Sequence, residues 1–243
     1  MNLIGILEQP RIPESAPLSK EVRDWLSARG VPSWTAAPVD DEDLNAPLEG
    51  TSLLIVLGGD GSTLRAARWS VPYGIPLFVI NVGRVGFLSE ATPENWPDKL
   101  ERLLRGEYWI ERRLLLHAEL WRGDTFLLPF TALNEVVIGR GAQARVIHLH
   151  LHVDGDLVTT YIADALIVAT PTGSTAYAMA AGGPLMPPQL QNLVIVPVAA
   201  HLSLNRSLVL HENARISIGV EVSHEAYLTA DGQKSTPVQD GDE

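Results

Sequence analysis

The sequence predicts an α/β protein in two parts. The first is an N-terminal Rossmann-like domain built on a parallel sheet. The second is a C-terminal β-rich, β-sandwich-like domain. Three observations predict this. Continuous apolar runs alternate with helical segments through the first third of the chain. From about residue 107 the pattern changes to period-two runs joined by Gly-Asp and Asp-Gly turns. Glycine-rich turns follow directly on two of the early apolar runs. The division is placed at residues 1–92 and 93–243.

Each element has its own signal. Leu3–Leu7 is a short apolar run. Ser19 starts a helix that runs to Arg29, with Val22, Trp25 and Leu26 on one face and Gly30 as its stop. Leu53–Leu57 is a second apolar run, followed by a glycine turn and a helix over Thr63–Trp69. Pro76–Ile80 is the third. Uninterrupted apolar strands separated by helices imply a parallel sheet covered on both faces. A connecting helix has Pro97 in its first turn, Leu100, Leu103 and Leu104 as its stripe, and Gly106 at its end.

In the second part, Leu114–Arg122 turns at Gly123-Asp124 into Thr125–Phe130. Ile147, Leu149, Leu151 and Val153 alternate with polar residues, then turn at Asp154-Gly155 into Leu157–Tyr161. Leu193–Val198, Ser207–Leu210 and Arg215–Val220 complete a set of antiparallel strands. One helix interrupts them at about Thr175–Ala181. The acidic tail Asp240–Glu243 reads as frayed and solvated.

Composition narrows the function. A formal charge of −11 opposes broad contact with the phosphate backbone of nucleic acid, so no nucleic-acid partner is expected. A small anionic ligand would need local N–H groups, a few arginines or a metal ion. There are no cysteines, which excludes disulfides, thiolate metal sites and cysteine nucleophiles. No apolar stretch approaches the ~20 residues of a membrane span, and the N-terminus has no signal-peptide pattern. A cytoplasmic location is expected, with no membrane partner.

Four stretches bear on chemistry. Gly58-Gly59-Asp60-Gly61-Ser62 joins a strand to a helix. It reads either as a phosphate cradle at a helix N-terminus or as a tight turn capped by Asp60 or Ser62. It lacks the Lys-Ser/Thr pair of a Walker loop. Asn81-Val-Gly-Arg-Val-Gly-Phe-Leu88 follows the next strand. Two glycine-rich turns at the carboxyl end of one parallel sheet read either as the ligand-binding edge of such a fold or, for Gly83 and Gly86, as the route of the chain into the second domain. Asn134-Glu135 alone reads as a surface turn. Asp164–Pro187 carries the strongest signal: an apolar strand, then Thr170-Pro-Thr-Gly-Ser-Thr175 with four hydroxyls, then small residues and Gly182-Gly183-Pro184. His148, His150 and His152 fall on one face of a strand. Without an evident acidic partner they read as its polar face rather than as a metal site. His201 with Ser203 lacks the elbow of a hydrolase.

Together these stretches resemble the NAD kinase family over roughly residues 53–233. The resemblance rests on GGDGS at 58–62, NVGRVGFL at 81–88, NE at 134–135, and Asp164 with TPTGSTAY at 170–177. It also rests on AGGP at 181–184, HLSLNRSLVL at 201–210 and DGQ at 231–233. The GGDG turn alone is shared with diacylglycerol-kinase-like and phosphofructokinase-like enzymes.

The resemblance implies transfer of the terminal phosphoryl group of ATP, or of polyphosphate, to the 2′-hydroxyl of the adenosine ribose of NAD. The product is NADP. It implies a divalent cation, usually Mg²⁺, a homodimer or homotetramer, and an active site between the two domains. Asp60 matches the catalytic carboxylate that accepts the hydroxyl proton, and Gly61 matches its ligand-touching neighbour. Asn134 and Glu135 match the pair that binds the dinucleotide, and Asp164 the acid before TPTGSTAY. Thr175, Ala176, Tyr177, Ala178, Met179 and Ala180 match the dinucleotide-pocket segment, and Gln233 the end of DGQ. Arg65 and Arg145 match basic positions.

The chain departs from the family pattern in places. Ala165 stands for glycine, Ile162 for Lys or Arg, and Ser62 for the commoner Thr. The sequence also ends soon after DGQ. Two other readings stand beside this one: a lipid or sugar kinase sharing only the GGDG turn, and a non-catalytic dinucleotide-binding regulator.

Overall fold

The computed structural model describes residues 3–38, 44, 46–83, 86–143, 145–201 and 205–243, with the side chain of Lys234 left aside. The chain divides into two units, Met1–Ile110 and Glu111–Glu243.

The first unit is a parallel sheet covered on both faces. Its strands are β1 (Ile4–Leu7), β2 (Ser33–Ala36), β3 (Leu53–Leu57) and β4 (Leu77–Ile80), in the order β2-β1-β3-β4. The helices are α1 (Ser15–Ser27), α2 (Asp60–Ser70) and α3 (Trp96–Leu104). Successive side chains of a strand point to opposite faces, so apolar runs supply two cores. Ile4, Ile6, Ile55, Leu57 and Ile80 pack with Val22 and Leu26 of α1 and Trp96 and Leu100 of α3. Leu7, Leu54, Val56 and Val79 face the other way, toward Ala66 of α2. The sequence division at residue 92 sets α3 apart from the first domain, whereas the helix lies within the first unit and fills its core.

Helix boundaries differ from expectation in two places. α1 begins at Ser15, not Ser19, because Pro17 fits a first turn where its missing N–H is not needed. α2 begins at Asp60 rather than Thr63, directly after Gly59. The edge strand β2 has no sequence signal because its four residues are only partly buried.

The second unit is antiparallel throughout. β5 (Leu116–Arg122) and β6 (Thr125–Ala132) form a hairpin. β7 (Glu135–Arg140), β8 (Ile147–Val153), β9 (Asp156–Ala163) and β10 (Ala165–Ala169) follow. After a 3₁₀ turn at Gly173–Thr175 come α4 (Tyr177–Ala180), β11 (Asn192–Val198) and β12 (Leu208–His211). β13 (Ile216–Glu221), β14 (Ala226–Ala230) and β15 (Lys234–Val238) complete the unit. The main sheet runs β12-β11-β10-β7-β14-β15, and a second sheet runs β13-β8-β9. Val136, Ile138, Leu166 and Val168 from the main sheet pack with Leu149, Leu151 and Tyr161 of the second and with Leu120 and Phe130 of the hairpin. This is the sandwich-like core. The opposite face of the main sheet carries a smaller core of Ile167, Ala169, Val194 and Val196, covered by Ala178 and Met186.

Three local expectations are corrected here. The tail is not frayed. Asp242 is fully buried, and its two oxygens accept Nε and Nη2 of Arg122 at 2.8 and 2.9 Å. Glu243 and Trp121 also exchange backbone hydrogen bonds. The expected helix over Thr175–Ala181 is broken into the 3₁₀ turn and the single turn of α4, because Ala176 leaves the helical region (φ −103°, ψ −125°). The histidine strand does have an acidic neighbour: Glu221 on β13 lies 3.2 Å from His150 and 3.6 Å from His148. Among the described residues no group of His, Asp and Glu forms a metal cluster. Ser203, Arg84 and Val85 lie outside the described residues.

Candidate active site

In the first unit, β3 delivers the chain through Gly58 and Gly59 into α2. Asp60, the first residue of that helix, does not cap it. Its carboxylate accepts the backbone N–H of Phe87 at 3.0 Å on Oδ2 and of Leu88 at 3.1 Å on Oδ1. The two glycine-rich turns thus meet at one side chain. A Cβ on Gly86 would overlap that carboxylate, so the second turn needs its glycine to come this close. Ser62 does not cap the helix either; its Oγ accepts Nε2 of Gln9 at 3.2 Å. Gly61 is exposed and Arg65 half-buried on α2.

In the second unit, three segments converge where β7 begins and β10 and β14 end. Ala169 lies opposite Glu135, and Ala230 opposite Val136. Asn134-Glu135 is therefore no surface turn: both residues are buried. Asp231, held at a left-handed φ of 52°, accepts the backbone N–H of Leu133, Asn134 and Glu135 at 2.9, 2.7 and 3.2 Å. From the other side, the Thr170 N–H donates to the Asn134 carbonyl at 2.8 Å, and its hydroxyl donates to the Leu133 carbonyl. Gly173 lies against the Asn134 peptide so closely that a Cβ would overlap it. Ser174, fully buried, ties the turn to Met186. The hydroxyls of Thr170 and Ser174 therefore serve to build the turn.

Glu135 is left in an unusual state. It is 6% exposed, and its Oε2 meets no hydrogen-bond donor among the described residues. Burial, then the Asp231 carboxylate, push its pKa up to about 7, opposed by the Tyr177 backbone N–H. On α4, Tyr177 and Met179 are exposed and Ala178 is buried against the main sheet, and Thr175 and Ala176 before the helix are half-buried. Gln233 follows Asp231 in the same turn, its N–H on the Ala230 carbonyl at 3.1 Å.

Asp164 is not part of this constellation. It stands at the opposite end of β10, roughly 16 Å away at ~3.3 Å per residue. A groove of about 370 Å³ runs along the sheet face between the two ends, over Val137, Gly139 and Ala165, from Tyr177 to Asp164. At its far end Arg140 Nε lies 2.9 Å from Asp164 Oδ1. Arg145 is exposed on the following loop, its carbonyl 3.0 Å from His224 Nε2.

Sequence reasoning missed Asp231, Arg140 and Arg113. Asp231 was visible only as the first letter of DGQ. Arg140 reads as a polar strand end. Arg113 donates from Nη1 to the Thr172 hydroxyl at 3.3 Å and pairs with Glu111, contacts that no local spacing announces.

Comparison with known proteins decides the family. Residues 41–108 match the ATP-NAD kinase N-terminal domain and residues 133–243 the ATP-NAD kinase C-terminal domain. The chain belongs to the NAD kinase family. It is 42% identical over 240 residues to the NAD kinase of Chloroflexus aurantiacus, covering 99% of this chain and 87% of that protein. It is 37% identical over 250 residues to the NAD kinase of Heliobacterium modesticaldum, covering 100% and 88%. An Archaeoglobus fulgidus NAD kinase solved in complex with ATP superposes with a TM-score of 0.74 at 27% identity, covering 100% of this chain and 88% of that one. Yeast NADH kinase solved with NADH shares the fold, with a TM-score of 0.82 at 24% identity, covering 100% and 78%. Membership in the NAD kinase family makes the chain a phosphoryl-transfer enzyme. Matches in both units do not favour a kinase that shares only the GGDG turn.

Proposed function

We propose that the chain transfers the terminal phosphoryl group of ATP, or of polyphosphate, to the 2′-hydroxyl of the adenosine ribose of NAD, with Asp60 as proton acceptor. The observation that carries the proposal is the setting of Asp60. It closes no cap of its own helix and is fixed by two N–H groups of the second glycine turn.

Phosphoryl transfer passes through a loose transition state, so positioning dominates. A carboxylate so fixed orients the hydroxyl and takes its proton late, as the new oxygen–phosphorus bond forms. Gly59 and Gly61, where an added Cβ would meet nothing within 4 Å, leave the start of α2 open to phosphate oxygens, whereas Gly58 lies against the Ser62 side chain. Asn134, Glu135, Asp164, Thr175–Ala180 and Gln233 bind the dinucleotide in this reading. Gly61, Arg65 and Arg145 contribute nucleotide contacts.

The described residues form no protein cage for a divalent cation. In this reading Mg²⁺ arrives on the donor phosphates, as it commonly does. When bound it neutralises phosphate charge. The reading further includes a homodimer or homotetramer and a cytoplasmic location, the latter in keeping with a chain without cysteine.

The experiment is to incubate the protein with NAD and Mg²⁺, adding ATP or polyphosphate as donor, and to measure NADP. Folded protein that makes none with either donor overturns the proposal. Asp60→Asn is expected to lower turnover by ~10²-fold or more, the usual weight of a general base, with NAD still bound. A variant that turns over at the wild-type rate removes Asp60 from this role.

A further inference from the structure

We propose that Arg140 is a positioning residue of the dinucleotide groove: it holds Asp164 in place and offsets its charge, so that this end of the groove takes a neutral hydrogen-bond donor of the substrate, such as an amide or ring amine. The inference rests on the reading that the groove takes NAD.

The floor of the groove comes from the outward face of β7 and β10. Val136 and Ile138 point into the sandwich core, so Val137 and Gly139 face out. Gly139 lies opposite Ala165 in the strand pairing, and a Cβ on it would come within 3.3 Å of the Ala165 methyl. Two small residues side by side leave the floor low. The next step along both strands brings Arg140 beside Asp164, with the Arg140 N–H on the Asp164 carbonyl at 2.9 Å. Their side chains meet across the same step at 2.9 Å.

Arg140 is anchored independently of Asp164. Its Nη1 donates to the carbonyls of Gly141 at 3.2 Å and Gln143 at 3.0 Å. Its side chain is 28% exposed and that of Asp164 33%. A guanidinium has donors only, and carbonyls of its own turn hold it from behind. Its Nε lies 2.9 Å from Asp164 Oδ1 as an ion pair, without the alignment of a hydrogen bond, so the hold on the carboxylate is one of charge. Ile162 on β9 carries no charge, and the guanidinium beside Asp164 comes from β7.

The pairing matters because NAD carries a diphosphate and the chain carries a net charge of −11. A lone half-buried carboxylate at the groove's end would repel that ligand. Paired with Arg140 it is close to neutral yet remains a hydrogen-bond acceptor. The groove can then select a neutral donor without opposing the anion.

The test is a kinetic cycle with Arg140→Met, Asp164→Asn and the double variant, with unfolding temperatures measured alongside. Arg140→Met is expected to raise the KM for NAD about tenfold, with the KM for ATP and kcat within about twofold. The double variant is expected to match Asp164→Asn, because Arg140 acts through Asp164. Arg140→Lys, which keeps the charge, is expected to fall between wild type and Arg140→Met. An unchanged KM for NAD in Arg140→Met, or effects that simply multiply in the double variant, overturn the proposal. Should Arg140→Met fail to fold, Arg140→Lys with and without Asp164→Asn carries the same comparison. Absence of NADP from the wild-type enzyme overturns the underlying reading instead, and is distinguishable because it precedes any variant.

Discussion

Replacing Glu135 by glutamine should remove a pH dependence of stability that is written into the second unit. Burial and the neighbouring Asp231 carboxylate raise the Glu135 pKa from an ordinary 4.5 to about 7. Below about pH 4.5 the folded and unfolded states both hold the proton, and the group contributes no difference. As the pH rises from there, the unfolded chain releases its proton first, so the folded state loses ground until about pH 7. At about 1.4 kcal/mol per pH unit, the loss across that window is ~3 kcal/mol. Glutamine keeps an oxygen for the Tyr177 N–H and never ionises. Its NH₂ takes the place of the unpartnered Oε2, which costs ~1 kcal/mol. The variant should therefore be slightly less stable than wild type at pH 4.5 and ~2 kcal/mol more stable at pH 8. Urea titrations of both proteins at several pH values measure this, and titrating groups that do not interact with Glu135 cancel in the comparison. If the two proteins show parallel pH profiles, Glu135 ionises normally in the folded chain and the argument from its burial is refuted.

Other consequences are as direct. Gly173→Ala should destabilise the second unit by ~2–3 kcal/mol, the usual cost of overpacking, since the added methyl overlaps the Asn134 peptide; thermal denaturation reads it, and the KM for NAD should rise with it. Arg122→Met should lower the urea midpoint at pH 7. The Arg122 guanidinium holds the Asp242 carboxyl below its ordinary range, so the pair's contribution is present at neutral pH and is lost as the pH falls; the gap between variant and wild type should close in acid, and a gap constant with pH would contradict it. Tyr161 is fully buried, and its hydroxyl finds no partner among the described residues. Tyr161→Phe should then be neutral or stabilising by up to ~1 kcal/mol, and a clear loss in a melting experiment would reveal a hydrogen bond at that hydroxyl.

What could be read from sequence was whatever hydrophobic pattern and local turn chemistry encode. Leu53–Leu57 declares itself because all five residues are buried, and the hairpin at Gly123-Asp124 because its turn residues are the ones such turns require. β7 did not declare itself. Glu135-Val-Val-Ile-Gly-Arg140 opens on a carboxylate and closes on glycine and arginine, although it lies in the middle of the main sheet. The polar ends that disguise it as a turn are Glu135, whose N–H is bound by Asp231, and Arg140, which pairs with Asp164. Asp231 and Asp242 were illegible for another reason. Their partners lie 96–98 and 120 residues away, and a short acidic stretch carries no mark of a distant arginine or a row of distant amides. Asp60 is intermediate: its turn was visible, but the N–H groups that hold it belong to a second turn 27 residues on.

The clamp of Asp231 on Leu133–Glu135 also bears on how the protein comes into being. The three amides that set the Asn134-Glu135 edge wait for a carboxylate almost a hundred residues further along the chain. A growing polypeptide that has already made β7 and β10 still lacks one side of that edge until β14 emerges. Contacts of such sequence separation are slow to form because a long loop must close first. The second unit should therefore acquire its binding edge as one of its last folding events, and shortening the chain before residue 231 should abolish dinucleotide binding even where the preceding strands remain paired.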